Sequence, residues 1–180
     1  MGWMFFRNDA LECWETNKVS EALPHYADVV NKKKNAKYLI AKRIPCEKID
    51  YDNTSLEDLL EIHKNITNKL NNIENADNLQ DTFSKKENEI DCPEFSLLDL
   101  KIVIANKVLE SCEFCERKCH INRNIKTGHC RVGSTAMISS VFAHTGEEAP
   151  LILSGTIFFT GCTFDCVFCQ NYDISALWNE

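Results

Sequence analysis

The stretch Ser154–Asn171, SGTIFFTGCTFDCVFCQN, decides how this chain reads. Its first half, with Thr156, Ile157, Phe158 and Phe159 between two glycines, has the β-branched and aromatic content of a strand. Its second half sets Cys162, Cys166 and Cys169 at a spacing of three and then two residues. Three thiolates from so short a loop hold three irons of a cubane iron–sulfur cluster and leave the fourth iron without a protein ligand. Four cysteines close such a cluster for electron transfer; three leave a corner where a small molecule can bind and be activated. Zinc also accepts three thiolates and a fourth ligand. Structural zinc knots, however, typically pair two CxxC units, and no histidine follows Cys169.

A second thiol group lies upstream. CEFCERKCHINRNIKTGHC places Cys112, Cys115, Cys119 and Cys130 in C-x2-C-x3-C-x10-C order, a complete four-thiolate set from one short segment. Such a set suits a structural zinc knot or a closed auxiliary iron–sulfur cluster, and both readings stay open. Arg117, Lys118, Arg123, Lys126 and Arg131 would offset the negative charge that four thiolates give either centre. His120 and His129 adjoin cysteines and either replace one as ligand or stand outside the ligand set.

The chain has 180 residues, a net charge of −7, 44% hydrophobic and 26% charged residues, as expected of a soluble globular protein. The acidic balance argues against a general nucleic-acid binder, although a zinc-ribbon reading with these basic residues permits one. No apolar run is long enough for a membrane span, and the N-terminal MGWMFF is broken by Arg7, Asn8 and Asp9, too early for a signal-peptide core. A cytoplasmic location follows as the expectation. There, disulfides are rare, so ten cysteines call for metal binding or redox chemistry. Cys13, Cys46 and Cys92 stand apart from the two groups and read as small hydrophobes or free thiols.

Along the chain, TSLEDLLEIHKNITNKL predicts a helix: Ser55 and Asp58 form an N-cap pair, and Leu56, Leu59, Leu60, His63, Ile66 and Leu70 recur at helical spacing. His63 on or beside that stripe reads as a packed histidine rather than a ligand. Lys34–Pro45 reads as either a short strand or a helical turn. A second helix is predicted in FSLLDLKIVIANKVLESC, capped by Ser96 with Asp99 and with Leu98, Ile102, Ala105 and Leu109 as its apolar face. TAMISSVFAH and LILSGTIFFTG read as strands. The expected organisation is a helical N-terminal region over 1–70, a polar linker over 71–92, a helix plus four-cysteine knot over 93–135, and a strand-and-cysteine-loop segment over 136–180. The fold class is α+β. His144, Glu147 and Glu148 between the two thiol groups are candidate acid–base residues, or simply solvated.

The motif C-x3-C-x-aromatic-C directly after a strand, with the trailing Gln170 and Asn171, resembles the signature of radical S-adenosylmethionine enzymes. The fuller SGTIFFTGCTFDCVFCQNYDIS, the preceding HTGEEAPL (His144–Leu151) and the upstream CxxC-x-R-x-C…NR…G-x-C element resemble the branch related to pyruvate formate-lyase activating enzyme. The resemblance implies that Cys162, Cys166 and Cys169 hold a [4Fe–4S] cluster whose open iron is chelated by S-adenosylmethionine, with Phe168 near the adenine. It implies reductive cleavage of the sulfonium to methionine and a 5′-deoxyadenosyl radical, supplied with an electron by a donor and used, for instance, to make a glycyl radical on a partner. It further implies a β/α barrel of which this chain carries only the first strand or strands. Roughly another 150 residues of barrel are expected by analogy with complete βα barrels. The family's glycine-rich methionine-binding stretch has no counterpart after Cys169, so no catalytic residue is assigned. A second polypeptide supplying the remaining barrel is the expected partner. The alternative is a non-catalytic iron–sulfur or zinc module, or a relic.

Overall fold

The computed structural model describes residues 7–15, 18–48, 50–51, 53–74, 92–152 and 154–177, with backbone alone for 70–74. The chain divides into two compact units. One runs from His25 to Val108; the other joins the chain up to Pro24 with the chain from Leu109 onward. The stretch read as a polar linker over 71–92 lies mostly outside the described residues.

The His25–Val108 unit is helical. α3 (Pro24–Val30) leads through a turn into α4 (Lys37–Arg43), so Lys34–Pro45 resolves as a helix followed by an extended exit. α5 (Leu56–Glu74) and α6 (Leu97–Glu110) are the two long helices. Both N-termini are capped as the sequence predicts. At α5 the Asp58 N–H donates to Ser55 Oγ at 3.1 Å while the Ser55 hydroxyl bonds the Asp58 carboxylate at 2.6 Å. At α6 the Ser96 N–H donates to Asp99 Oδ2 at 2.9 Å and the Asp99 N–H to Ser96 Oγ at 3.3 Å, closing a reciprocal box. Ala41, Ile44, Leu59, Leu97 and Leu100 form the core, flanked by Ile62, Ile66, Phe95, Val103 and Ile104. Tyr51 stacks on Phe95 at 4.3 Å between ring centroids.

Two details of the helical faces differ from the sequence reading. In α5, Leu60 is exposed and Ile62 packs inward beside Leu59 and Ile66. In α6, Ile102 is exposed, while Leu97 and Leu100 are buried and Val103 and Ile104 lie against the core. The physical reason is that α6 carries apolar residues on nearly every side, so periodicity alone does not choose a face. The two-bond pairing of Cys46 and Leu97 amides with Phe95 and Ile44 carbonyls, at 2.9 Å each, rotates the start of α6 and makes the choice.

The other unit begins with α1 (Asp9–Glu15) and α2 (Lys18–Ala22) and resumes with the cysteine-rich segment and a two-stranded antiparallel sheet. β1 (Ile138–His144) pairs with β2 (Ser154–Phe159), Val141 opposite Ile157 and His144 opposite Ser154, with an irregularity between Ile138 and Ser140. Phe142 stacks across the ladder on Phe158 at 5.8 Å. A 3-10 turn at Ala149–Leu151 sits between the strands, and α1 packs against it. After β2 the chain enters the terminal cysteine loop and ends its described part in the short α7 (Tyr172–Ser175). The architecture is α+β.

Candidate functional site

The four-cysteine segment is organised by backbone bonds around Cys112. Its N–H donates to the Ile121 carbonyl at 2.9 Å, and its own carbonyl accepts from the His120 N–H at 3.1 Å, which doubles the chain back on itself. Between them, the Lys118 N–H bonds the Cys115 carbonyl at 3.0 Å in a tight turn. Lys118, His120 and Arg131 adopt left-handed backbone, with φ of 38°, 50° and 61°. Each adjoins a cysteine, and each conformation costs an L-residue about 1–2 kcal/mol. Strain of this kind persists where the surroundings over-determine it.

At the centre lies Arg123, only 9% exposed. Its Nε donates to Cys112 Sγ at 3.0 Å, Nη2 to Cys130 Sγ at 2.9 Å and Nη1 to the Val132 carbonyl at 2.8 Å. Burial opposes the charge on this guanidinium, but the bonds to Cys112 and Cys130 outweigh it and raise its pKa further above an already high ordinary value. A Cβ placed on Gly128 would meet Arg123 Nη2 at 3.3 Å and Cys119 Sγ at 3.4 Å, so a third sulfur borders the same spot. Cys112 and Cys130 thus flank one buried cation, with Cys119 on the other side of Gly128. Among the described residues, no three His, Cys, Asp or Glu side chains are gathered closely enough to grip a metal ion in this arrangement. The donor set is nonetheless that of a soft-metal centre: sulfur ligands with N–H donors aimed at them.

The terminal loop is closed by the Gly161 N–H donating to the Ile174 carbonyl at 2.8 Å, which brackets all three cysteines between β2 and α7. Gly161 has φ of 77°, and a Cβ there would stand 2.4 Å from the Cys130 carbonyl oxygen and 2.5 Å from Val132 Cγ2. Only glycine lets the loop approach the knot so closely. Within the loop, the Phe164 N–H points at Cys162 Sγ (3.4 Å), and Cys169 Sγ lies 3.3 Å from Ser175 Oγ. Cys166 is exposed, and Phe164, Val167 and Phe168 project into solvent, Phe168 at 84% exposure. Among the described residues, no cysteine is joined in a disulfide.

The two thiol groups belong to the same unit and are bonded to each other. Arg117 donates from Nε to the Thr163 carbonyl at 2.8 Å and from Nη2 to Asp165 Oδ2 at 3.1 Å; His129 Nε2 reaches the same oxygen at 2.9 Å. His129 therefore faces a carboxylate, and His120 faces Glu113, with Nδ1 at 3.1 Å from Oε1. His144 Nδ1 lies 3.3 Å from Glu147 Oε1 without the alignment of a hydrogen bond. Arg7 holds this segment from the N-terminal side, donating to the Thr145 carbonyl at 2.7 Å and the Glu147 carbonyl at 3.1 Å. Sequence reasoning named Arg117 and Arg123 only as general countercharges. Arg7, Asp165, Ser175 and Gly161 carried no local signal, because each acts on a residue reached only through the fold.

Of the isolated cysteines, Cys13 and Cys46 are partly buried and Cys92 is exposed. Burial pushes the Cys46 thiol up, with Asp99 adding to it, and Cys46 lines a groove with Ile44, Pro45, Ile62 and Ile66. Burial also raises Cys13, helped by Asp9. Burial, and then Lys101, lowers the His63 pKa from its ordinary value, as for a partly packed side chain. Among the described residues, no helix is long and apolar enough to cross a membrane.

No family model matches the chain, and no solved structure does. Over 143 residues it is 40% identical to an uncharacterized protein of Methanocaldococcus jannaschii, a match that takes in 79% of this chain. The same match covers 38% of that relative, so the chain spans well under half the length of the protein it resembles.

Proposed function

We propose that this chain is the N-terminal, cluster-bearing part of a radical S-adenosylmethionine protein, in the branch resembling pyruvate formate-lyase activating enzyme. Cys162, Cys166 and Cys169 are the ligands of an open-cornered [4Fe–4S] cluster, and Cys112, Cys115, Cys119 and Cys130 those of zinc or a second cluster. The observation that supports this reading most is the terminal loop. Three cysteines follow β2 directly, Gly161 seats the loop against the knot, and the sulfurs of Cys162 and Cys169 each face a hydrogen-bonding group while Cys166 stays open. N–H···S bonds spread thiolate charge and orient the ligands. When bound, the cluster together with S-adenosylmethionine supplies reductive sulfonium cleavage and hence a 5′-deoxyadenosyl radical. The residues of this chain hold the ligands in place, and Phe168 offers an exposed ring for the adenine.

The remaining barrel, and with it catalysis, comes from further polypeptide. Val141, Ile157 and Phe159 leave apolar surface exposed on the two-stranded sheet, as expected of a face that further chain covers. An electron donor and a cytoplasmic, reducing compartment complete the proposal. The second reading, a metal-bound module without turnover, is favoured by one feature: the bonds of Arg123 to Cys112 and Cys130 make no use of the terminal loop.

Electron paramagnetic resonance of anaerobically reconstituted, reduced protein, with and without S-adenosylmethionine, separates the two. A reduced-cluster signal that changes on adding the sulfonium supports the open iron. Zinc at both thiol groups, with no cluster signal, refutes the radical reading and leaves the module.

A further inference from the structure

Each residue that joins the two thiol groups stands next to, or one away from, a proposed ligand. Arg117 lies between Cys115 and Cys119, and His129 precedes Cys130. Thr163 follows Cys162, and Asp165 precedes Cys166. The side-chain bonds converge on one carboxylate oxygen, Asp165 Oδ2, with Arg117 Nη2 at 3.1 Å and His129 Nε2 at 2.9 Å. A third bond, Arg117 Nε to the Thr163 carbonyl at 2.8 Å, holds the loop backbone between Cys162 and Cys166. Gly161 lies close to the Cys130 carbonyl, leaving no room for a Cβ between them, so the loop starts against the knot.

Resting on the reading of the loop as a cluster site, we infer that Asp165 is a positioning residue. Clasped by Arg117 and His129, it lets the four-cysteine knot set the conformation of the three-cysteine loop, so that iron at the loop is retained in proportion to how well the knot holds it. The physical argument turns on order rather than attraction. The ion pair between Arg117 and Asp165 is about half-exposed, with side chains 41% and 60% accessible. Such pairs add about 1 kcal/mol or less to stability. A loop whose ligands must stand together before metal enters loses that much from its ligand-ready population when the clasp is cut. Metal at the knot fixes the backbone that carries Arg117 and His129, and through them the place at which Asp165 is held.

The test uses the full chain with both thiol groups loaded under anaerobic conditions. The triple variant Cys162→Ser, Cys166→Ser, Cys169→Ser serves as the blank for iron held elsewhere. Release of loop iron to a ferrous chelator is timed, metal at the knot is assayed in parallel, and the reduced-cluster resonance is recorded. Asp165→Ala is expected to release loop iron roughly fivefold faster, with a broadened resonance and unchanged knot metal. Asp165→Asn, which keeps an oxygen acceptor in the same place, is expected to stay near wild type. Wild-type protein that binds no loop iron sinks the cluster reading and this inference with it. Loop iron in wild type with Asp165→Ala indistinguishable from it overturns this inference alone. So does equal damage from Asp165→Ala and Asp165→Asn, or loss of metal from both sites together.

Discussion

Replacing Arg123 by methionine gives the sharpest test of the knot. The substitution keeps an unbranched side chain in a site only 9% exposed but removes the charge and all three side-chain donors. Two of those bonds end on sulfur, at 3.0 Å to Cys112 and 2.9 Å to Cys130. Hydrogen bonds to charged groups contribute about 1.5–3 kcal/mol each, so the pair is worth about 3–6 kcal/mol before relaxation. Water entering beside the sulfurs returns part of this. Outer partners of metal ligands typically cost 10–100-fold in metal affinity when lost. The buried position and the double contact place Arg123→Met at the upper end, about 100-fold. The assay is competition for zinc against a chromophoric chelator, with thermal unfolding alongside. Arg123→Lys, which keeps a positive charge but loses the fork that reaches both sulfurs, is expected to fall between the two. Zinc affinity for Arg123→Met within twofold of wild type would refute the reasoning, because the guanidinium would then be indifferent to what the sulfurs bind.

The remaining expectations concern stability. Gly161→Ala forces a left-handed φ on alanine and sets its Cβ 2.4 Å from the Cys130 carbonyl oxygen, which is backbone and cannot swing away. It should destabilise the protein by about 2–5 kcal/mol, read as a lowered thermal midpoint; an unchanged midpoint would mean that the loop does not lie against the knot. Leu100→Ala empties a position with 0% exposure at the centre of the helical core and should cost about 2–5 kcal/mol in urea unfolding. Asp99 is held below the ordinary carboxylate range chiefly by the Ser96 hydroxyl and then by the Ser96 N–H. Its contribution is therefore complete above the unfolded value near 3.8 and disappears as pH falls through the lower folded value. Asp99→Asn should flatten that acid limb of the stability curve, and an unaltered limb would rule out the cap as its source.

What the sequence determined by itself was local. The caps at Ser55 and Ser96 were readable because a serine and an aspartate three residues apart bond each other's groups locally, whatever the rest of the chain does. Strand character at Ile157–Phe159 and the grouping of cysteines were legible for the same reason: side-chain type and spacing suffice. Which face of α6 turns inward was not legible, since its apolar residues spread over several sides and the bonds Leu97 N–H to Ile44 and Cys46 N–H to Phe95 fix its entry. Nor was the join between the thiol groups. Arg117 meets Thr163 and Asp165 across more than 40 positions of sequence, and Arg7 meets Thr145 across 138. Spacing carries no information at such separations. Only the folded backbone, with glycine at 161 to permit the approach, brings a basic residue of one motif to the carboxylate of the other.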